Sequence, residues 1–170
     1  MFDNPLLANE LADGARGNLA RGPDGLTSVW EAAAQLRPDG LVILAGRNYG
    51  AGSSRDWAAK GLRMLGIGAV VAESFERIHR ANLIGAGVLP LRFAEGQGRH
   101  DLLQGTDDRI EILFPDGLSP HARAEVLSRA GKDRIRRVTA VLDAHSASEI
   151  VLLTQGGLLP LIRERFLSTT

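Results

Sequence analysis

The chain contains no cysteine among its 170 residues and carries no formal net charge. Iron–sulfur clusters are held by cysteine thiolates, so this chain cannot ligate one. Its 20 basic residues balance 20 acidic ones, and the overall charge therefore does not direct it toward nucleic acid or an anionic membrane. No apolar run approaches the roughly 20 residues that a membrane-spanning helix needs. Neither nucleic acid nor a membrane is an expected partner.

The length of the chain predicts one compact domain with a sizeable core. No secretory signal is visible at Met1-Phe2-Asp3, so a cytoplasmic location is the default expectation. Metal motifs such as His-Glu-x-x-His are absent, and we expect packing or surface roles for the histidines and no metal site. The four histidines are His79, His100, His121 and His145.

The most informative segment runs from Leu41 to Gly61 and reads LVILAGRNYGAGSSRDWAAKG. Its first five residues are apolar and bounded by glycines, which is typical of a strand covered on both faces. Gly50 and Gly52 then allow positive φ angles or the close approach of a ligand. Ser53 or Ser54 is a good helix N-cap. The segment therefore predicts a strand, a sharp bend and a helix.

The start of that helix gathers groups that suit an anion. Free backbone N–H groups and the helix dipole favour negative charge there, and Ser53, Ser54 and Arg55 add polar donors. A carboxylate or a phosphate fits. The segment lacks the third glycine of the dinucleotide fingerprint and the Gly-Lys-Ser/Thr of a P-loop, which argues against a nucleotide. The alternative is a tight turn with Arg55 in solvent.

The rest of the chain predicts an α/β domain in which strands alternate with helices, so that the buried sheet is mostly parallel. Met1 to Asp24 reads as an irregular arm with a short extended piece, and Glu95 to Asp108 as a polar loop with little chemistry. We predict further helices from Ser28 to Leu36, from Ser74 through Leu83, from Ser146 to Leu153 and from Leu158 to Leu167. We predict further strands at Ala69–Ala72, Val88–Phe93, Ile110–Phe114 and Val138–Leu142.

Two longer segments of the chain resemble a known protein family. From Gly46 to Phe93, through GRNYGAGSSRDWAAKG and VVAESFERIHRANLIGAGVLPLRF, the chain resembles the C-terminal swivel domain of the aconitase family. The branch it resembles most contains bacterial aconitase A and the iron-regulatory proteins. Weaker similarity includes Phe2-Asp3-Asn4, Asp143, Glu149 and the run Gln155-Gly156-Gly157-Leu158-Leu159. The resemblance thus covers nearly the whole chain, residues 1–170, as one swivel-type domain.

The resemblance implies a three-layer β/β/α domain that closes over a cleft built by other domains. It implies an enzyme that dehydrates a hydroxy-tricarboxylate and rehydrates the product, with iron of a 4Fe-4S cluster as Lewis acid. Ser53 matches the serine base, which acts as an alkoxide. Ser54 and Arg55 match residues that bind substrate carboxylates, while Gly50 and Gly52 permit close approach. The cluster must be ligated outside this chain.

One departure from the family pattern leaves alternatives open. In the family, a further substrate-binding arginine precedes the segment that matches Met1 to Asn4, and this chain begins too late to include it. We interpret the chain as a piece of a longer polypeptide; alternatively it is a small subunit that joins a cluster-bearing large subunit, as in isopropylmalate isomerase. Either way we expect it to be inactive alone. Citrate and isocitrate, methylcitrate or a phosphonate analogue are candidate substrates.

A cluster of basic residues suggests a third function, the binding of RNA. Members of the resembled branch bind RNA hairpins once their cluster is lost, and basic side chains could contact RNA phosphates. Alternation along a strand explains the cluster more simply. We favour a solvated edge strand over an RNA-binding regulator. The cluster comprises Lys132, Arg134, Arg136 and Arg137.

Overall fold

The computed structural model describes residues 19–22, 24–36, 40–52, 55–103, 109–130 and 134–167. The strands are β1 (Leu19–Gly22), β2 (Gly25–Ser28), β3 (Leu41–Ala45), β4 (Ile67–Ala72), β5 (Leu89–Phe93), β6 (Arg109–Leu113), β7 (Arg123–Ala130) and β8 (Arg134–Leu142). The helices are α1 (Val29–Leu36), α2 (Arg55–Met64), α3 (Arg77–Gly85), α4 (Arg99–Leu102), α5 (Ala147–Thr154) and α6 (Leu158–Leu167). The α/β class is confirmed. None of the described helices is long and apolar enough to cross a membrane.

The main sheet has the strand order β3-β4-β5-β8-β7-β6, and β1 and β2 form a separate hairpin. The pairs β3–β4 and β4–β5 are parallel, because α2 and α3 carry the chain back between them. The remaining three pairs are antiparallel. The sheet is therefore mixed rather than mostly parallel, since no helix connects β6 to β7 or β7 to β8 within the described residues.

The two halves of the sheet pack on each other, and helices cover one of them. Side chains of β4 alternate between two cores. Val70 and Ala72 pack with Leu62 of α2 and Leu83 of α3. Val71 faces the other way, into a cluster formed with strands β5, β7 and β8. The layers are thus helix, sheet and sheet, in agreement with the expected β/β/α arrangement.

Strand β3 departs from its prediction. Its residues pack into both cores, but each is only half-buried. The reason is its position at one edge of the sheet, which a run of apolar residues does not reveal. The edge position leaves the end of β3 accessible, and the loop that carries the candidate site begins there.

The helix boundaries follow local capping. The capping box before α1 is confirmed, because the Ser28 hydroxyl accepts from the Glu31 amide at 3.2 Å and the Glu31 carboxylate accepts from the Ser28 amide at 3.2 Å. Ser146 caps α5 as expected. The prediction that Ser74 begins α3 is wrong. Glu76 is the N-cap, and its carboxylate accepts from the amides of Ile78 and His79.

Two surface segments were given predictions, and one of these is corrected. In β8, β5 pairs only with residues 140–142, whereas residues 134–137 are exposed and have ladder partners only in β7 among the described residues, as expected for a solvated edge. Arg136 donates to the Leu103 carbonyl at 3.0 Å, and Arg137 pairs with Glu125 at 3.5 Å, whereas Lys132 lies outside the described residues. The stretch from Glu95 to Asp108 is not merely a polar loop, because it contains α4, and Leu102 of that helix is fully buried.

Candidate active site

The predicted site residues follow β3, at the edge where the parallel strands end. We call residues 46–54 the glycine-rich loop; the structure describes it as far as Gly52. Ser53 and Ser54 lie outside the described residues. Arg55 is the first residue of α2, and its side chain is likewise not described. The loops after β4 and β5 reach the same edge, as is usual for ligand sites in open α/β sheets.

The glycine-rich loop is joined to the turn between β4 and α3. The Tyr49 amide donates to the Ser74 carbonyl at 2.9 Å, and the Glu76 amide donates to the Tyr49 carbonyl at 2.9 Å. The Ser74 hydroxyl also accepts from the Asn48 amide at 2.8 Å. Ser74, which the sequence analysis assigned to a helix start, is therefore an anchor of the loop.

Tyr49 anchors the loop through its side chain as well. Its ring lies 5.4 Å from the ring of His79 and 6.1 Å, edge-on, from the ring of Phe75. Burial raises the pKa of Tyr49 to about 12. The phenol is therefore neutral at physiological pH and acts as a packing group. Nothing in the sequence distinguished this tyrosine from its neighbours in the loop.

The two predicted glycines differ in their surroundings. Gly50 has φ +84°, and a Cβ added there would lie 2.1 Å from Cδ2 of His79. The close approach at this position is thus made by the chain's own imidazole. Gly52 has φ +148°, and an added Cβ would meet no atom within 4 Å. Gly50 requires glycine for both conformation and space, whereas Gly52 requires it for conformation.

Charged side chains surround the loop in small clusters. Glu73, after β4, accepts from Nε of Arg47 at 3.1 Å and lies 3.7 Å from Nη1 of Arg99. This carboxylate thereby links the loops that follow all three parallel strands. On α2, Lys60 pairs with Asp56 at 2.6 Å. Both partners are exposed, so the pair contributes little to stability.

A cavity of about 520 Å³ opens beside the glycine-rich loop. Arg47 and Glu73 line one side of it, and the loop after β5 lines the other, from Ala94 to Gly98 and at His100 and Asp101. The segment predicted to contain little chemistry therefore forms a wall next to the candidate site. Glu95 and Asp101 make this wall acidic. It differs in charge from the start of α2, which suits an anion.

A polar residue of α3 makes contacts that hold this helix in place next to the glycine-rich loop. Arg80 makes two hydrogen bonds to the Glu149 carboxylate, at 3.0 and 3.2 Å, and one to the Asp143 carbonyl at 2.8 Å. Burial acts to raise the pKa of Glu149, but hydrogen bonds from Arg80 and from the His145 amide, with the positive charge of Arg80, outweigh it and lower the pKa. These contacts join α3 to α5 and indicate a structural role for Arg80.

The described residues hold no group of three His, Cys, Asp or Glu side chains able to bind a metal ion. The whole chain also lacks cysteine, and its donors therefore do not fit an iron–sulfur cluster. What the site does offer is the start of the ten-residue helix α2, with Arg55 at its first position. That arrangement suits the binding of an anionic group.

The fold and site define a class of mixed α/β domain in which a glycine-rich loop leads from the first parallel strand to a helix start. A family model of the aconitase C-terminal domain matches residues 1–96, which is more than half of the 170 residues. The chain therefore belongs to the aconitase C-terminal domain family, as the resemblance predicted.

Individual relatives support this membership. The chain is 41% identical to aconitate hydratase A of Legionella pneumophila over 98% of its length, which is 19% of that protein. It is 43% identical to the 2-methylcitrate dehydratase (2-methyl-trans-aconitate forming) of Shewanella oneidensis, over 99% of the chain and 20% of that protein. Both relatives are hydro-lyases. The chain spans about a fifth of their length.

A solved structure shares the fold. The 3-isopropylmalate dehydratase of Methanocaldococcus jannaschii superposes with a TM-score of 0.51 and 24% identity. The match covers 84% of this chain and 81% of the other. At this identity the comparison shows the fold alone, and it agrees with the helix, sheet and sheet layers described above.

Proposed function

We propose that this chain is the swivel domain of an aconitase-like hydro-lyase that isomerises a hydroxy-tricarboxylate by dehydration and rehydration. Citrate and isocitrate, interconverted through cis-aconitate, are the proposed substrates. The observation that carries the proposal is the position of Arg55. It opens α2 directly after a glycine-rich loop anchored at the edge of the parallel strands, in a chain whose relatives are hydro-lyases.

Each proposed site residue has a defined task. Ser53 Oγ, as an alkoxide, takes the proton from the carbon next to a substrate carboxylate. A serine alkoxide is far too basic to exist at neutral pH in water, so donors at the start of α2 must stabilise it. Ser54 donates to one carboxylate. The planar fork of Arg55 binds another, while Gly50 and Gly52 let the loop turn toward the substrate.

The proposed reaction needs parts that this chain does not contain. Without cysteine, the chain cannot hold the 4Fe-4S cluster that the family resemblance implies. We therefore place the cluster in other domains of a longer protein or in a separate large subunit. That assignment is consistent with the chain's share of about a fifth of its relatives' length.

A second substrate remains a candidate. The Shewanella relative named as a 2-methylcitrate dehydratase is as similar to this chain as the Legionella aconitate hydratase. The proposed carboxylate-binding residues would serve either substrate, because both carry the same type of anionic group. An RNA-binding role is less well supported, since Arg136 and Arg137 contact groups within the domain.

Reconstitution tests the proposed function. The chain is mixed with a cluster-loaded partner that comprises the missing domains, and isocitrate dehydration is followed by the absorbance of cis-aconitate. We expect activity with the partner and none from either component alone. Dehydration of 2-methylcitrate is assayed in parallel to choose between the substrates. Activity of this chain without the partner, or its absence with both substrates in a demonstrably docked complex, would contradict the proposal.

Replacing Arg55 with lysine tests the carboxylate-binding assignment. Lysine keeps the charge but loses the bidentate fork, so we expect the KM of the complete enzyme to rise about tenfold or more, with a smaller effect on kcat. Arg63→Lys, at the exposed end of the same helix, is the matched control and should match the parent enzyme. An unchanged KM in Arg55→Lys would remove Arg55 from the substrate site.

A further inference from the structure

We propose that His79 is a positioning residue for the glycine-rich loop, and that contact with its imidazole fixes the path of residues 46–52, which lead toward the proposed base. The inference rests on the proposed function, which makes Ser53 the base. His79 itself is not assigned a proton transfer or a substrate contact.

The contact between Gly50 and His79 is the first observation. His79 is 1% exposed. A Cβ on Gly50 would lie 2.1 Å from Cδ2, 2.2 Å from Cγ and 2.5 Å from Cβ of His79. All three are carbon atoms, so the contact is steric. The loop can therefore follow its observed path only if residue 50, which contacts this ring, is glycine.

His79 is itself firmly held. Its amide donates to the Glu76 carboxylate at 3.0 Å in the N-cap of α3. The next residue, Arg80, joins α3 to α5 through the Glu149 carboxylate. The ring thus belongs to a part of the domain that is fixed by capping and by an ion pair, and it can serve as a rigid template.

Tyr49 holds the loop against the His79 ring. Tyr49, next to Gly50, has its ring 5.4 Å from that of His79, and its amide and carbonyl are bonded to Ser74 and Glu76. Gly50 is therefore held between an anchored backbone and a buried ring. Ser53, the proposed base, is only three residues further along the sequence, so we expect a displacement of the loop at Gly50 to affect catalysis.

Matched variants of His79 test this role in the complete enzyme with its cluster-bearing part. His79→Asn keeps Cβ, Cγ and an atom near the position of Cδ2, whereas His79→Ala removes the ring. We expect His79→Ala to lower kcat by about 10- to 100-fold while KM changes by less than about threefold. His79→Asn should restore most of kcat and leave its pH profile unchanged. Equal losses in both variants would assign a chemical role to the ring nitrogens and overturn the proposal.

Matched glycine variants provide a second test should His79→Ala fail to fold. Gly50 and Gly40 have similar positive φ angles, +84° and +78°, but an alanine Cβ at Gly40 would meet no atom within 4 Å. Both substitutions impose a similar backbone penalty, and only Gly50→Ala collides with the imidazole. We expect Gly50→Ala to lower kcat about tenfold or more and Gly40→Ala to retain it. Equal kcat values in the two would contradict the proposal.

Hydrogen exchange separates this inference from the proposed function. The Tyr49 amide, bonded to Ser74, and the Ala51 amide, bonded to the Asn48 carbonyl at 3.0 Å, report on the loop without any need for activity. We expect exchange in residues 46–52 to accelerate about tenfold or more in His79→Ala and to stay at the parent rate in His79→Asn. Parent-like exchange in His79→Ala would overturn the positioning role. A fully active Ser53→Ala enzyme would instead refute the function.

Discussion

Ser53→Ala is expected to lower the kcat of the complete enzyme by about a thousandfold or more, with little change in KM. The methyl side chain of alanine cannot accept the proton that the reaction must remove from carbon, and general-base catalysis contributes about 10²- to 10⁴-fold. The substrate carboxylates keep their partners Ser54 and Arg55, so affinity is preserved. The measurement is steady-state dehydration of isocitrate by the reconstituted enzyme.

Two serine controls make this result specific. Ser54→Ala removes a hydroxyl from the neighbouring position and should raise KM more than it lowers kcat, because Ser54 is proposed to bind a carboxylate. Ser148→Ala, on the exposed first turn of α5, should leave both constants unchanged. A Ser53→Ala enzyme with at least a third of the parent kcat would exclude Ser53 as the base, and the position of the base would have to be sought outside this chain.

The sequence predicted the parts of the fold that are written in local patterns. The alternation of strand and helix from β3 to β5 predicted the parallel half of the sheet, and the capping box before α1 and the Ser146 cap of α5 marked those helix starts correctly. In each case the signal and the structure involve residues a few positions apart. Short-range physics is sufficient there.

Other parts depend on contacts that local patterns do not encode. β7 was missed because RAEVLSRA has little strand propensity, and its pairing with β6 and β8 makes it a strand. The strand predicted at Val138–Leu142 was too short, because pairing with β7 extends β8 back to Arg134, beyond the part that β5 covers. Glu76 displaced Ser74 as the α3 cap because Ser74 is used to hold the glycine-rich loop.

In the candidate site as well, the local features were predictable from the sequence and the long-range contacts were not. The loop and the helix start were evident from glycine spacing and from the Ser-Ser-Arg run. The contact between Gly50 and His79 was not evident, because the two residues are 29 positions apart and are brought together by the arrangement of β4 and α3. A glycine at a turn looks the same in a sequence whether it faces solvent, a ligand or a buried ring.

Arg80→Ala is expected to destabilise the domain by about 2 to 3 kcal/mol at pH 7. It removes both hydrogen bonds to Glu149 and the one to the Asp143 carbonyl, and it leaves a largely buried carboxylate without its cation. The side chains of Arg80 and Glu149 are only 11% and 21% exposed. Arg129→Ala, which breaks an exposed pair with Glu111 at 2.7 Å, is the control and should leave the stability almost unchanged.

The pH dependence of the Arg80→Ala effect identifies its cause. The pKa of Glu149 is lowered in the folded protein from its ordinary value of 4.5, so the stabilisation is present above that value and is lost as the pH falls through the folded pKa. Urea unfolding at pH 7 and at a series of lower pH values below 4.5 should therefore show the gap between parent and Arg80→Ala narrowing as the pH falls through the folded pKa of Glu149, because the carboxyl is then protonated in both. A gap that stays constant across this range would mean that Arg80 stabilises the domain by packing its aliphatic stem rather than by pairing with Glu149.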